Sequence, residues 1–280
     1  MSNFDASTEH NGTWTLLDVE IPAGELELVS DLLWSLGVVA IEELDGTIPA
    51  TARLRTSLGG DPQAVIASIV SRHGAARCEM VRVDKAVADT WRQHAEVTVI
   101  EGPLAIVPAW LEAPAGCDAV LIEPADTFGL GNHPTTVGAL TLAMRHVAAG
   151  ARVFDLGTGS GILAVALAKQ KGCPVLVTDI AAGARDVVAH NAALNALTGI
   201  DWTDTGPAAP VDAVLANILA PVLIAESRRI VDHTRDQGTI VLSGMRSEQL
   251  DAVLEHYGDC EVFDSVTIDG WTSVALVKNR

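Results

Sequence analysis

Apolar and polar positions follow two rhythms along the chain, an alternating one and a helical one, and their order changes near residue 85. Thr13 to Ile21 (TWTLLDVEI) reads as a strand closed by Pro22. From Glu25 to Leu36 the apolar residues fall at 26, 28, 29, 32, 33 and 36, which is helical spacing, and Gly37 ends that helix. Val38 to Leu44 is a β-rich run with a turn at Asp45-Gly46, and Ala52 to Leu58 is the next strand. Asp61-Pro62 opens a second helix with apolar residues at 65, 66, 69 and 70, and Cys78 to Val83 alternates as a last strand. The order is βαββαβ, which predicts a small ferredoxin-like α+β domain over residues 1–85.

Residues 86–96 lie in a polar stretch around one aromatic, Trp91, and read as a linker; a second domain is expected over 97–280. Val97 to Pro108 and Ala119 to Ile122 read as strands leading into it. Glu123 to Thr136 (EPADTFGLGNHPTT) is a loop by composition, followed by a helix from Val137 to Val147. Val153 to Ile162 (VFDLGTGSGI) runs from a strand through a glycine turn into the helix Ile162–Lys169. Strands at 174–178, 200–203, 211–215 and 239–243 then alternate with helices at 184–197, 222–233 and 247–257. A hairpin of 262–268 and 272–278 turns at Asp269-Gly270. This alternation predicts an α/β fold, a mostly parallel doubly wound sheet with an antiparallel C-terminal hairpin.

Composition narrows the function classes. Apolar residues make up 49% of the 280, enough for a sizeable core. The first dozen residues are polar and acidic, without the apolar centre of a secretory signal, and no apolar run approaches the roughly 20 residues of a membrane span. A cytoplasmic location is expected. Cysteines 78, 117, 173 and 260 are scattered, and the eight histidines form no metal-ligand pattern, so no metal site is predicted. The net charge is −18, with 7 basic and 15 acidic residues in 1–96 and 11 and 21 in the remainder. Such a balance argues against direct nucleic-acid binding. It favours encounter with a basic partner, or serves solubility alone.

The glycine turn carries the chemistry. Gly157, Gly159 and Gly161 let the backbone turn sharply and approach a ligand, above which the helix directs its N–H groups. The spacing is not G-x-G-x-x-G, because Ile162 stands three after Gly159, and no G-x-x-x-x-G-K-[ST] exists, so neither a dinucleotide nor a nucleoside triphosphate is favoured. Asp155 before the turn would repel a pyrophosphate but suits an ammonium or sulfonium. Asp179, at the end of the next strand, is placed to accept both hydroxyls of a ribose, although an acid there can also cap the strand end. Together these features point to S-adenosylmethionine. Asn217, where the strand 211–215 leaves the sheet, offers acceptors for an incoming amine or an Asx-type turn. Thr135 or Thr136 caps the following helix, and His133 is a loop histidine or a general base.

The run EPADTFGLGNHPTT, DLGTGSGILAVAL, TDI, VDAVLANILAPVL and IVLSGM resembles the ribosomal protein L11 methyltransferases (PrmA family), in order from about Trp91 to the C-terminus, with Trp271 in the last hairpin. The resemblance implies a Rossmann-like class I methyltransferase domain preceded by a substrate-recognition domain. It also implies an enzyme that transfers methyl groups from S-adenosylmethionine to lysine ε-amines, and to an N-terminal α-amine, of the basic large-subunit ribosomal protein L11. Thr136 and Gly157 would contact the cofactor, Asp179 would hold its ribose, and Asn217 would border both cofactor and amine. Leu130, Asn132 and Ala181 depart from the family pattern, as does Glu123-Pro124-Ala125. A methyltransferase of the same fold acting on another amine or a small molecule, a non-catalytic S-adenosylmethionine-binding interaction protein, and a nicotinamide oxidoreductase are the competing readings.

Overall fold

The computed structural model describes residues 13–36, 38–58, 62–84, 95–123, 131–181 and 183–279. The chain divides into two compact units, Met1–Ala95 and Glu96–Arg280. Most of the linker expected at 86–96, with Trp91, lies outside the described residues.

In the first unit, strands β1 (Thr13–Pro22), β2 (Val38–Asp45), β3 (Thr51–Leu58) and β4 (Arg77–Asp84) form a sheet in the order β2-β3-β1-β4. Every pairing is antiparallel. Helices α1 (Leu26–Ser35) and α2 (Pro62–Arg72) supply Val29, Leu33 and Ile69 to one core with Leu17, Val19 and Ile21. The period-two placing of those three β1 residues puts one strand face wholly in the core, each side chain worth about 1.5–3 kcal/mol. The expected ferredoxin-like order is found. Glu20 closes the β2–β3 turn by accepting from the N–H groups of Thr47 (2.9 Å) and Ile48 (3.2 Å) and from the Thr51 hydroxyl (2.8 Å).

The second unit holds a small sheet of β5 (Thr98–Val99), β6 (Leu104–Pro108) and β7 (Asp118–Ile122). The single strand expected at 97–108 is thus two, because Glu101-Gly102-Pro103 turns with Gly102 at φ 70°. The main sheet contains β8 (Val153–Leu156), β9 (Val175–Thr178), β10 (Ile200–Trp202), β11 (Val211–Asn217), β12 (Thr234–Arg246), β13 (Cys260–Ile268) and β14 (Trp271–Lys278). Its order is β10-β9-β8-β11-β12-β14-β13, parallel from β10 to β12 and antiparallel at β14 and β13. Successive residues of β8 and β11 serve opposite faces: Val153 and Leu215 join one buried cluster, Phe154 and Val214 the other.

Helices α3 (Pro134–His146), α4 (Ile162–Lys171) and α5 (Ala184–Leu194) follow the expected order, α3 starting a turn earlier than the periodicity suggests. The long helix expected at 222–233 is broken into α6 (Ala220–Ala225) and α7 (Ser227–His233). The Tyr257 hydroxyl donates to the Leu223 carbonyl at 2.9 Å, the group that a continuous helix would give to the Ser227 N–H. The helix expected at 247–257 begins as a 3-10 turn, Ser247–Gln249, and is α-helical only over α8 (Leu250–Leu254).

Candidate active site

From β8 the chain steps outward through β9 to β10, then returns to place β11 on the other side of β8. The strand order therefore reverses between β8 and β11, and open α/β sheets bind ligands at the carboxyl ends beside such a point. Gly157 leaves the end of β8 and Asn217 ends β11, so the two expected site segments meet there.

The glycine turn is built as its sequence demands. Gly157, Gly159 and Gly161 have φ of 76°, 54° and 80°, conformations that side chains disfavour. The N–H groups of Gly157 and Thr158 both donate to the Thr178 carbonyl, at 2.9 and 3.1 Å, tying the turn to β9. A Cβ on Gly157 would stand 2.3 Å from Ile218 Cγ2, so the turn after β11 closes against it only because it is glycine.

Two carboxylates flank the turn. Asp179 receives the Gly159 N–H on Oδ2 and the Ala181 N–H on Oδ1, both at 2.8 Å. Each oxygen keeps a lone pair for a further donor, and the side chain is only half-buried. The adjacent Ile180 is fully exposed, an apolar side chain with no cover beside a polar anchor. Asp155 lies beneath the turn at 1% exposure; its Oδ2 accepts the Thr158 hydroxyl at 2.6 Å and its Oδ1 has no hydrogen-bond partner. Burial pushes its carboxyl up to about 7 and the charge of Asp179 adds to the rise, while the Thr158 hydroxyl and, more weakly, the Ala164 N–H oppose it. Asp155 thus acts on anything above the turn through its field, not by contact.

On the facing side, Asn217 Nδ2 donates to the buried Thr136 hydroxyl at 3.4 Å, joining the expected pair across 81 residues. The cap of α3 is neither threonine. His133 takes that place, its Nδ1 accepting from the Thr135 N–H at 3.3 Å and meeting the Thr135 hydroxyl at 2.8 Å. Accepting on Nδ1 requires the neutral ring, and burial lowers the pKa of His133 in the same direction. The His133 ring also packs edge-on to Trp271, with centroids 5.2 Å apart. Of the main-chain carbonyls after β11, that of Leu219 already accepts the Val222 and Leu223 N–H groups.

The structure adds residues that the sequence reading passed over. Ser243 binds the Thr135 carbonyl at 2.8 Å and Ser273 at 2.7 Å, fixing the start of α3 to β12 and β14. Nothing in their spacing announces this; only the strand pairing does. Ile180 could have been found as an apolar residue after a strand-ending acid. Residues 124–130 of the expected loop, including Gly129 and Leu130, lie outside the described residues.

The donor set fits a cationic cofactor bearing a ribose. Two carboxylates stand at the turn, one with an orphaned buried oxygen, and the charge acting on Asp155 is that of another acid. A pyrophosphate would be repelled there.

The sequence pattern of the family described as ribosomal protein L11 methyltransferase (PrmA) matches residues 13–279. The chain is 32% identical over 272 residues to the ribosomal protein L11 methyltransferase of Synechococcus sp. (strain RCC307), covering 87% of this chain and 89% of that one. It is 31% identical over 291 residues to the enzyme of that name from Methylococcus capsulatus, covering 95% and 99%. A crystal structure described as ribosomal protein L11 methylase from Lactobacillus delbrueckii subsp. bulgaricus superposes with a TM-score of 0.61 at 29% identity, covering 66% of this chain and 99% of that one.

Proposed function

The chain belongs to the ribosomal protein L11 methyltransferase (PrmA) family and is an S-adenosylmethionine-dependent methyltransferase of that ribosomal protein; we propose that it methylates lysine ε-amines, and an N-terminal α-amine, at the junction of β8 and β11. The observation that carries this location is that Asp179, the glycine turn and the Asn217–Thr136 pair all stand at the carboxyl ends of the adjacent strands β9, β8 and β11.

When bound, S-adenosylmethionine supplies a methyl group on a positively charged sulfonium. Asp179 would accept the two ribose hydroxyls on oxygens already oriented by backbone N–H groups. Ile180 would lie against the adenine, exchanging full exposure for an apolar contact. Gly157 and Gly159 would keep the floor free of side chains, Asp155 would set a negative potential beneath it, and Thr136 would border the cofactor.

A lysine amine has a pKa of about 10.4 and attacks only once deprotonated. Desolvation disfavours its charged form, and Asn217 Oδ1 would accept one N–H and so aim the lone pair. His133 is committed to capping α3, and no base is assigned. The first unit is assigned to holding the basic substrate. No helix among the described residues is long and apolar enough to cross a membrane; with a ribosomal substrate, we place the enzyme in the cytoplasm.

Asp179→Ala should weaken S-adenosylmethionine binding by roughly 1.5–3 kcal/mol, on the order of 10- to 100-fold, in calorimetry. Asn217→Ala should lower kcat on L11 more than it lowers cofactor affinity. An unchanged affinity in the first variant, or the reverse split in the second, would remove these assignments.

A further inference from the structure

We propose that Asn191, on α5, is a positioning residue of the methyl-transfer site: it locks the glycine turn, the end of β7 and the helix after Asp179 into one register. Its side chain is fully buried, and each of its polar atoms is used. Oδ1 accepts the Glu123 N–H at 2.9 Å, while Nδ2 donates to the Glu123 carbonyl at 3.0 Å and to the Ser160 carbonyl at 2.8 Å. Asparagine is a poor helix former, and a buried amide is costly without partners, so a fully bonded one here has a specific task.

One turn along α5, Asn195 repeats the pattern. Its Oδ1 accepts the Leu121 N–H at 3.0 Å and its Nδ2 donates to the Leu121 carbonyl at 2.7 Å. Four helical residues advance about 6 Å, and two strand residues about 6.6 Å. The two asparagines therefore meet Leu121 in β7 and Glu123 just past its end, and stand in for a neighbouring strand on the edge that β6 leaves open. Edge protection accounts for the Asn195 bonds to Leu121; its remaining bonds, from Lys169 Nζ at 3.0 Å and to the Asn191 carbonyl at 2.8 Å, go to α4 and to its own helix and do not reach the turn. It does not account for the second amide hydrogen of Asn191, which leaves β7 and reaches Ser160, between two glycines of the turn. α5 touches the turn a second time at Val188, where a Cβ on Gly161 would stand 3.1 Å from Val188 Cγ2. One helix thus fixes both the turn and Glu123, the residue that follows β7.

This inference rests on the glycine turn holding the cofactor, and the test separates the two. In the full chain, Asn191→Ala and Asn195→Ala each remove a buried, multiply bonded amide and should lower Tm to a similar extent. Only Asn191→Ala should raise the Kd and KM for S-adenosylmethionine, about tenfold, with kcat on L11 at saturating cofactor changed far less. Asn195→Ala should change that Kd less than about twofold. Equal changes in the two variants, or none in either, would overturn the proposal. Should Asn191→Ala not fold, the isosteric Asn191→Asp keeps the acceptor for Glu123 but has no donor for Ser160. The same rise in Kd is expected of it, and an unchanged Kd overturns the proposal equally. Asp179→Ala is measured alongside. If it loses affinity while the Asn191 variants do not, the coupling is wrong and the cofactor site stands; if it too is unchanged, the site falls with it.

Discussion

Among the described residues two carboxylates are buried, one in each unit, and they are treated in opposite ways. Asp18 on β1 faces two arginines on β3: Arg55 grips it with Nε at 2.7 Å and a second nitrogen at 2.9 Å, and Arg53 stands at 3.4 Å. Asp155 on β8 faces a hydroxyl and another acid, with one oxygen unpartnered. The first carboxylate is neutralised where it stands and serves the sheet. The second is desolvated without a counter-charge, which no fold needs for its own stability. On the function proposed above, the charge that this buried acid lacks arrives with the cofactor.

Substitutions at the two aspartates should therefore have opposite signs. Asp18→Ala strands two arginines and should cost about 3 kcal/mol in urea denaturation while leaving S-adenosylmethionine affinity unchanged. Asp155→Asn should do the reverse. The folded pKa of Asp155, about 7, lies above its ordinary 3.8, so the stability tied to its protonated form is fully present below pH 3.8 and lost as pH rises through about 7. At pH 8 the unliganded Asn variant should accordingly be more stable than the parent, by at most about 4 kcal/mol, yet bind the cofactor more weakly. A destabilised Asp155→Asn at pH 8 would mean that the Thr158 hydroxyl and the surrounding N–H groups already compensate the carboxylate within the fold.

The contrast between the units also governs what the sequence disclosed. Period-two and helical spacing sufficed for β1, α1 and the ferredoxin-like order, because those elements are specified by which face is buried. The glycine turn, Asp179 and Asn217 were legible because their types and spacing follow from backbone geometry and from the ends of strands. The break between α6 and α7 was not, since it depends on a hydroxyl thirty-four residues away, Tyr257, reaching the Leu223 carbonyl. His133 as the cap of α3 was hidden for a related reason: two threonines are better caps by type, and only the local backbone gives the place to the imidazole. Asn191 and Asn195 stand four apart in an alanine-rich helical run, and their task is visible only once β7 is seen alongside. Long-range pairings that connect polar atoms leave no periodic trace.

The smallest effect should come from Thr158, and it tests the account of Asp155 most closely. Its hydroxyl is the group that favours the ionised carboxylate, at 2.6 Å. A positively charged sulfonium also favours that ionised form, so binding releases a proton from Asp155, and cofactor affinity should rise with pH through about 7. Thr158→Val removes the hydroxyl and should move that rise to higher pH by about one unit, the equivalent of a single charge-assisted hydrogen bond. The cofactor's own α-amine titrates at about 7.7–8 and contributes a slope of its own. Asp155→Asn carries that slope alone, so the difference between its calorimetric pH profile and that of the parent isolates the carboxylate. If the Thr158→Val and parent profiles differ from it by the same amount at every pH, the hydroxyl does not tune Asp155, and the charge beneath the turn is set by burial, Asp179 and the Ala164 N–H.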